Sequence, residues 1–142
     1  ICAHWKFRTP DIAVKSANKI FAMYLDYRDE EDFVGMDMCR KFLEMGFTRS
    51  RRYANHRDGK KYDKEGNVIP QEPDHATCHF AKSAKIFKKV RDIVAKNDTY
   101  VKMRKHWRKE VEHSQEARVN ALATASNVKR AQYSNSKVSR TA

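Results

Sequence analysis

Apolar residues recur every three or four positions in four separate stretches of this 142-residue chain, and no other feature constrains its fold as strongly. This spacing places apolar side chains along one face of an α-helix. The stretches lie near residues 9–27, 29–46, 74–95 and 98–117. The sequence therefore predicts a mainly α protein, a small bundle of about four helices.

Residues that favour helix ends support this interpretation. Thr9-Pro10-Asp11 combines an N-cap residue, a proline suited to the first helical position and an acid in the first turn. We expect the second helix to begin at the acidic cluster 29–32 and to end at Gly46, a residue typical of helix C-caps. Asp74 and Asp98 are expected to cap the third and fourth helices.

Two segments do not fit the helical pattern. Lys61-Tyr62 and Val68-Ile69 flank a glycine-containing loop, which predicts a short β-hairpin-like insertion near residues 60–70. Residues 119–142 contain four basic residues, no acid and many Ser, Asn and Ala, a composition typical of a segment that becomes ordered on a partner. We therefore expect a single helical domain at 1–117, and a basic low-complexity tail at 118–142 that is ordered mainly on a partner.

Positive charge is concentrated in the later part of the chain. Residues 1–46 contain seven lysines and arginines against eight acids, whereas residues 47–142 contain twenty-three against ten, and the whole chain carries a net charge of +12. Blocks of one sign repel themselves in a compact protein and are commonly neutralised by a polyanion. The predicted partners are nucleic acid, with RNA favoured, or acidic protein surfaces in a large complex.

The densest cationic block lies between residues 49 and 61, and a second cationic patch lies on the fourth predicted helix. Arginine binds phosphate through two parallel hydrogen bonds, tyrosine can stack on a base, and asparagine can bond a base edge or a sugar. The alternative is that one or two arginines pair with the acidic cluster 29–32 and only fix helix packing. The candidate nucleic-acid-binding residues are Arg49, Arg51, Arg52, Tyr53, Asn55, His56, Arg57, Lys60, Lys61, Lys102, Arg104, Lys105, Arg108 and Lys109.

Metal binding and catalysis have weaker support. On a helix, His75, Cys78 and His79 would share a face and could present three ligands to Zn²⁺. Because the chain has no CxxC motif, a half-buried Cys78 between two surface histidines is the favoured alternative. The sequence has no glycine-rich phosphate loop and no GxSxG motif, so it indicates no catalytic residue and no cofactor, and it does not favour an enzyme.

The cysteine pattern and the hydropathy bear on the compartment. Three cysteines at irregular spacing argue against a disulfide scaffold and suit a reducing compartment. No run of eighteen apolar residues is present, which predicts no membrane insertion. We expect a soluble, intracellular protein, whose organelle stays open because a chain beginning with Ile1 is expected to lack its natural N-terminus.

Three motifs together resemble a known family. Residues 32–49, running into Arg51-Arg52-Tyr53-Ala54-Asn55-His56, resemble the uncharacterised family called domain of unknown function 4385. His4-Trp5-Lys6-Phe7-Arg8-Thr9-Pro10 and Gly59-Lys60-Lys61-Tyr62 are similar to the same family. The resemblance covers roughly residues 4–115 and implies a mainly helical intracellular protein. The family has no settled activity, so it implies no catalytic residues.

These observations favour a basic nucleic-acid-binding protein that contacts RNA, or a ribonucleoprotein surface, through phosphates and without strong sequence specificity. The first alternative is a structural or linker subunit of a large assembly that docks on acidic protein surfaces. Salt dependence would separate these two in part, because a nucleic acid releases many counterions when it is bound. The second alternative is a small enzyme acting on nucleic acid through His56 and neighbouring arginines.

Overall fold

The computed structural model describes the backbone of residues 1–138 and the side chains of residues 1–128, and it is mainly helical, as predicted. The elements in chain order are a short 3-10 helix (Cys2–His4), α1 (Pro10–Asp29), α2 (Phe33–Asn55), α3 (His79–Ala95), α4 (Asp98–Trp107), a π-helical turn (Arg108–Glu112) and α5 (His113–Val138). The chain divides into two compact units, the first spanning Ile1–Val101 and the second beginning at Lys102. Within the described residues, none of the helices has the length and apolar character that crossing a membrane requires.

The core of the first unit lies where α1, α2 and α3 pack on one another. Its largest fully buried side chains include Ile20 and Tyr24 of α1, Met36 and Leu43 of α2, and Phe87 of α3. All five belong to the three- and four-residue spacing that predicted the helices. Burial of apolar surface of this kind is the dominant favourable term in folding.

The starts of α1 and α2 follow their predicted caps. The Thr9 hydroxyl accepts a hydrogen bond from the backbone N–H of Ile12 at 3.3 Å. One carboxylate oxygen of Asp32 accepts from the backbone N–H of Gly35 at 3.0 Å. Each cap satisfies a backbone N–H that has no partner inside its helix, so these two boundaries depend on local sequence.

The predicted end of the second helix at Gly46 is wrong, because α2 continues without interruption to Asn55. Gly46 is buried, and a Cβ atom added there would lie 2.4 Å from Cδ1 of the Phe87 ring. The glycine therefore allows α3 to approach the α2 backbone closely and does not terminate the helix. As a consequence, most of the predicted arginine block lies on one long helix.

The predicted start of the third helix at Asp74 is also wrong. The backbone N–H of Cys78 donates to the carbonyl of Asp74 at 2.9 Å, and that of His75 donates to the carbonyl of Glu72 at 3.1 Å. These bonds belong to turns, and α3 begins only at His79. Two prolines precede Asp74, at positions 70 and 73, and they restrict the residues before them to extended conformations.

The β-hairpin predicted near residues 60–70 is not present as strands. Among the described residues there is a single isolated antiparallel bridge, between Tyr62 and Val68, and no strand. The residues around it are almost all exposed, so no buried face supports a longer ladder. Pro70 follows at once and has no N–H to donate to a further ladder bond.

The loop that contains this bridge returns to the point where it left α2. The backbone N–H of Glu72 donates to the carbonyl of Asn55 at 2.8 Å, which joins the two ends of the segment between them. The carboxylate of Glu72 also accepts from the backbone N–H of Arg57 at 3.3 Å. The loop is therefore tied at its base, while its tip around Gly66 is exposed.

A half-buried carboxylate, that of Asp37, links α2 to the start of α4. Asp37 accepts hydrogen bonds from Nε of Arg40 at 2.8 Å and from the hydroxyl of Tyr100 at 2.7 Å. Burial alone would raise the pKa of Asp37, but these two hydrogen bonds and the charges of Arg40 and Lys41 together hold the pKa below its ordinary value. Asp37 therefore stabilises the fold in its ionised form.

The start of α4 differs from the prediction by one residue. The side-chain oxygen of Asn97, not that of Asp98, accepts the hydrogen bond from the backbone N–H of Tyr100, at 3.2 Å. Within the second unit, the described side chains of α5 are all exposed. The predicted tail falls largely on this helix, its ordering on a partner stays a prediction, and residues 139–142 lie outside the described part of the chain.

Candidate nucleic-acid interface

An open cleft of about 640 Å³ lies in the first unit, between the segment that precedes α1, the C-terminal part of α2 and the start of α3. Three aromatic and three cationic residues contribute to it, and none of the described lining residues is acidic. The lining residues are Lys6, Phe7, Arg8, Ile12, Tyr53, Arg57 and Phe80. Aromatic rings beside cations form the kind of surface that binds unpaired bases and phosphates.

The aromatic residues of the cleft form a continuous cluster. The ring centroids of Tyr53 and Phe80 are 5.5 Å apart and nearly stacked, and Phe7 lies 6.0 Å from Tyr53 and 6.4 Å from Phe80. All three rings are half-buried, so each keeps part of its surface open. The exposed ring of His79 lies 4.4 Å from that of Phe80, and it extends the cluster at the start of α3.

The segment before α1 is held in place by one buried serine. The hydroxyl of Ser16 on α1 donates to the carbonyl of His4 at 2.7 Å and accepts from the backbone N–H of Lys6 at 3.0 Å. In the same segment, the ring of Trp5 makes an edge contact with the ring of Phe42 on α2, with 6.0 Å between the two centroids. These contacts fix the backbone that presents the cations of this segment to the cleft.

Arg57 lies immediately after the end of α2 and has a largely free guanidinium. Its side chain is 79% exposed, and its nearest acidic partner is Glu72, with Nη2 and Oε2 separated by 3.7 Å. An exposed ion pair of this kind contributes at most about 1 kcal/mol. The guanidinium can therefore exchange this carboxylate for a phosphate at little cost.

Within the predicted arginine block, Arg51 and Asn55 have a structural role. Nη1 of Arg51 donates to the carbonyl of His75 at 3.0 Å, and Nη2 donates to the side-chain oxygen of Asn55 at 2.7 Å. Arg51 thus joins α2 to the loop before α3. The alternative interpretation expected an arginine to pair with the acidic cluster 29–32, but the partners of Arg51 are His75 and Asn55. Arg49 and Arg52 are exposed on α2.

His56 is the C-cap residue that follows α2, and it is only 6% exposed. Its Nδ1 is buried, and no described atom forms a hydrogen bond with it. The imidazole therefore offers little surface to a polyanion. In the same loop, Lys60 and Lys61 are exposed, and Nζ of Lys61 lies 5.6 Å from the centroid of the Tyr62 ring.

The second predicted patch belongs to the second unit, which begins at Lys102. Nε of Arg108 lies 3.5 Å from a carboxylate oxygen of Glu112, one turn further along the chain. Arg104 is half-buried. The remaining predicted members, which are exposed, are Lys102, Lys105 and Lys109.

The three residues considered as zinc ligands are not arranged as a site. Cys78 precedes the first residue of α3, and His75 lies in the turns before it, so they do not share a helical face with His79. Among the described side chains, no three His, Cys, Asp or Glu residues lie close enough together to hold a metal ion. The shared helical face on which the zinc hypothesis depended is therefore not formed.

Sequence reasoning missed five residues of the cleft: Lys6, Phe7, Arg8, Ile12 and Phe80. Phe80 fits the apolar helical spacing of residues 74–95, and the first third of the chain carries no net positive charge. A usable signal is present in Trp5-Lys6-Phe7-Arg8, where aromatic and cationic residues alternate. Interleaved aromatic and basic residues are typical of single-strand binding surfaces.

Comparison with known proteins gives one match. No curated protein and no solved structure matches the chain at a significant level. A family model matches residues 1–110, which include every residue of the cleft, and this match confirms the resemblance seen in the three motifs. The chain belongs to the family described as Domain of unknown function (DUF4385).

Proposed function

We propose that this protein binds single-stranded nucleic acid, with RNA as the favoured ligand, in the cleft between the segment before α1, α2 and α3. Bases stack on the rings of Tyr53, Phe80 and Phe7, and phosphates contact Lys6, Arg8 and Arg57. The observation that carries the proposal is that three aromatic rings and three cations line one open cleft to which no acid of the described lining contributes.

The aromatic rings favour a single strand over a duplex. A base can stack on a side chain only when it is free of its neighbours, as in loops, bulges and unpaired ends. Each such contact stabilises the complex by about 1–3 kcal/mol and tolerates any base, because every base has a π-face. The half-buried rings of Tyr53 and Phe80 are fixed by their mutual packing at 5.5 Å, so little side-chain entropy is lost on binding.

The cations supply affinity that does not depend on sequence. The three cations of the cleft, with about 0.7 counterion released per phosphate contact on a single strand, predict a slope of about −2 for log K against log salt. The exposed Arg49, Arg52, Lys60 and Lys61 add to the positive field of the same unit. Few neutral hydrogen-bonding groups line the cleft, which agrees with weak base specificity.

Binding of a fluorescently labelled single-stranded RNA decamer, followed by anisotropy, tests this proposal. Phe80→Leu keeps an apolar side chain but removes the stacking surface, and we expect about 5- to 150-fold weaker binding. Arg8→Ala/Arg57→Ala should weaken binding and make the salt slope shallower by about 1.4. The matched control is Lys82→Ala/Lys85→Ala, two exposed lysines of α3 outside the cleft, which change the net charge equally.

Three outcomes would overturn the proposal. One is no binding of single-stranded RNA or DNA at low salt. The second is equal weakening by the control and by Arg8→Ala/Arg57→Ala, which would indicate a diffuse charge effect. The third is tighter binding of polyglutamate than of RNA, with no effect of Phe80→Leu, which would favour docking on acidic protein surfaces instead.

A further inference from the structure

We infer that the bound strand leaves the aromatic cleft across Lys6 and continues along α1, where its phosphates contact Lys15, Lys19 and His4 in a second depression. This inference rests on the proposed function and adds the path of the strand. It follows from the position of the second depression, from its chemistry and from the way its wall is held.

The second depression is contiguous with the cleft. It has a volume of about 420 Å³, and it shares two of its lining residues, Lys6 and Ile12, with the cleft. Its other lining residues are Ala3, His4, Lys15, Ser16 and Lys19. An RNA strand that lies in the cleft therefore reaches the second depression without crossing any other surface.

The two depressions differ in their chemistry. The described lining of the second one contains three lysines and one histidine, but no aromatic carbocycle and no acid. Lys15 and Lys19 are four residues apart on α1 and so point to the same side, about 6 Å apart along the helix axis. Such a surface can contact phosphates, and the His4 ring is its one aromatic face, whereas three aromatic carbocycles line the cleft. Bases therefore bind in the cleft and backbone phosphates bind along α1.

The wall of the second depression is preorganised. Ser16 lies at its base, is 4% exposed, and bonds both the carbonyl of His4 and the backbone N–H of Lys6. These two bonds hold the segment before α1 against the helix that carries the lysines. The groove is therefore present before the ligand arrives, and binding does not have to order this segment.

The inference predicts that strand length determines which part of the surface is used. A dinucleotide occupies the cleft alone, whereas a decamer also reaches Lys15 and Lys19. In Lys15→Ala/Lys19→Ala, the salt slope for the decamer should be shallower by about 1.4, because two phosphate contacts are lost. Binding of the dinucleotide should be unchanged within error.

The experiment measures binding of labelled RNA dinucleotide and decamer over a series of salt concentrations, with circular dichroism as a check on folding. Lys82→Ala/Lys85→Ala is again the control for net charge. Suppose that Lys15→Ala/Lys19→Ala has the same decamer affinity and salt slope as this control, while Phe80→Leu still weakens binding. The strand path is then wrong and the proposed function stands. Equal losses of affinity for dinucleotide and decamer in Lys15→Ala/Lys19→Ala would also overturn the path. If the wild type binds neither RNA, both proposals fail together.

Discussion

Replacing Gly46 with alanine is predicted to destabilise the first unit, although alanine is the better helix former. The new Cβ would lie 2.4, 2.6 and 2.7 Å from three atoms of the Phe87 ring. Ordinary carbon contacts are about 3.5–4.0 Å, so the ring or the helix must move by about 1 Å. Phe87 is 0% exposed, so other protein atoms enclose its ring.

The magnitude follows from two opposing effects. Overpacking a well-filled core costs about 1–3 kcal/mol, and contacts this short place Gly46→Ala at the upper end of that range. Replacing glycine with alanine inside a helix stabilises the helix by about 1 kcal/mol. We therefore expect the free energy of unfolding to fall by about 2 kcal/mol.

Urea unfolding followed by circular dichroism measures this change, and a second variant tests its cause. Leucine at position 87 is smaller and more flexible than phenylalanine, so Gly46→Ala should cost clearly less in a Phe87→Leu background than in the wild type. A Gly46→Ala protein as stable as the wild type would refute the reasoning. An equal loss in both backgrounds would show that contact with the Phe87 ring is not the cause.

Three further predictions concern single side chains. Asp37→Asn should lower the free energy of unfolding at neutral pH by about 1–3 kcal/mol, because Tyr100 loses a charged acceptor. Since the folded pKa of Asp37 lies below 3.8, this contribution is present above that pH and disappears as the pH falls through the folded pKa, so urea unfolding of wild type and variant should converge in acid. Ser16→Ala should cost about 1–2 kcal/mol, measured in the same way, and should weaken RNA binding. Burial raises the pKa of Cys39 to about 11, so iodoacetamide at neutral pH should label the exposed Cys2 and leave Cys39 unmodified until the protein unfolds.

Each of these predictions has an outcome that contradicts it. A constant difference between Asp37→Asn and wild type across the acid range would mean that the carboxylate does not act in its ionised form. Unchanged RNA affinity in Ser16→Ala would show that the segment before α1 does not need its anchor. Labelling of Cys39 at the same rate as Cys2 in the folded protein would contradict its burial.

Local signals predicted the helices and some of their ends. Thr9 caps α1 as the sequence indicated, and α2 begins after the acidic cluster 29–32, whose last residue, Asp32, caps it. Such signals are readable because a capping side chain acts on backbone groups two or three residues away. Gly46 could not be interpreted in the same way. A glycine is common both after a helix and beneath a closely packed neighbour, and only the position of Phe87 distinguishes the two cases.

The cleft could be predicted only in part. Tyr53 and Arg57 stood out in the sequence because they lie in the cationic block. Phe7 and Phe80 come from segments far away in the chain, and the packing of α3 and of the segment before α1 against α2 brings them together. The low net charge of residues 1–46 hid the significance of Arg8. Four of the eight acids of that region lie at 29–32, at the far end of α1 from Arg8.

The tied base of the loop after α2 makes its tip a natural attachment point. The bond between Glu72 and Asn55 holds both ends of the loop together, so the chain around Gly66 can be lengthened without separating α2 from α3. A small epitope or a fluorophore-binding tag inserted there would stay on the first unit, a short distance along the chain from Arg57.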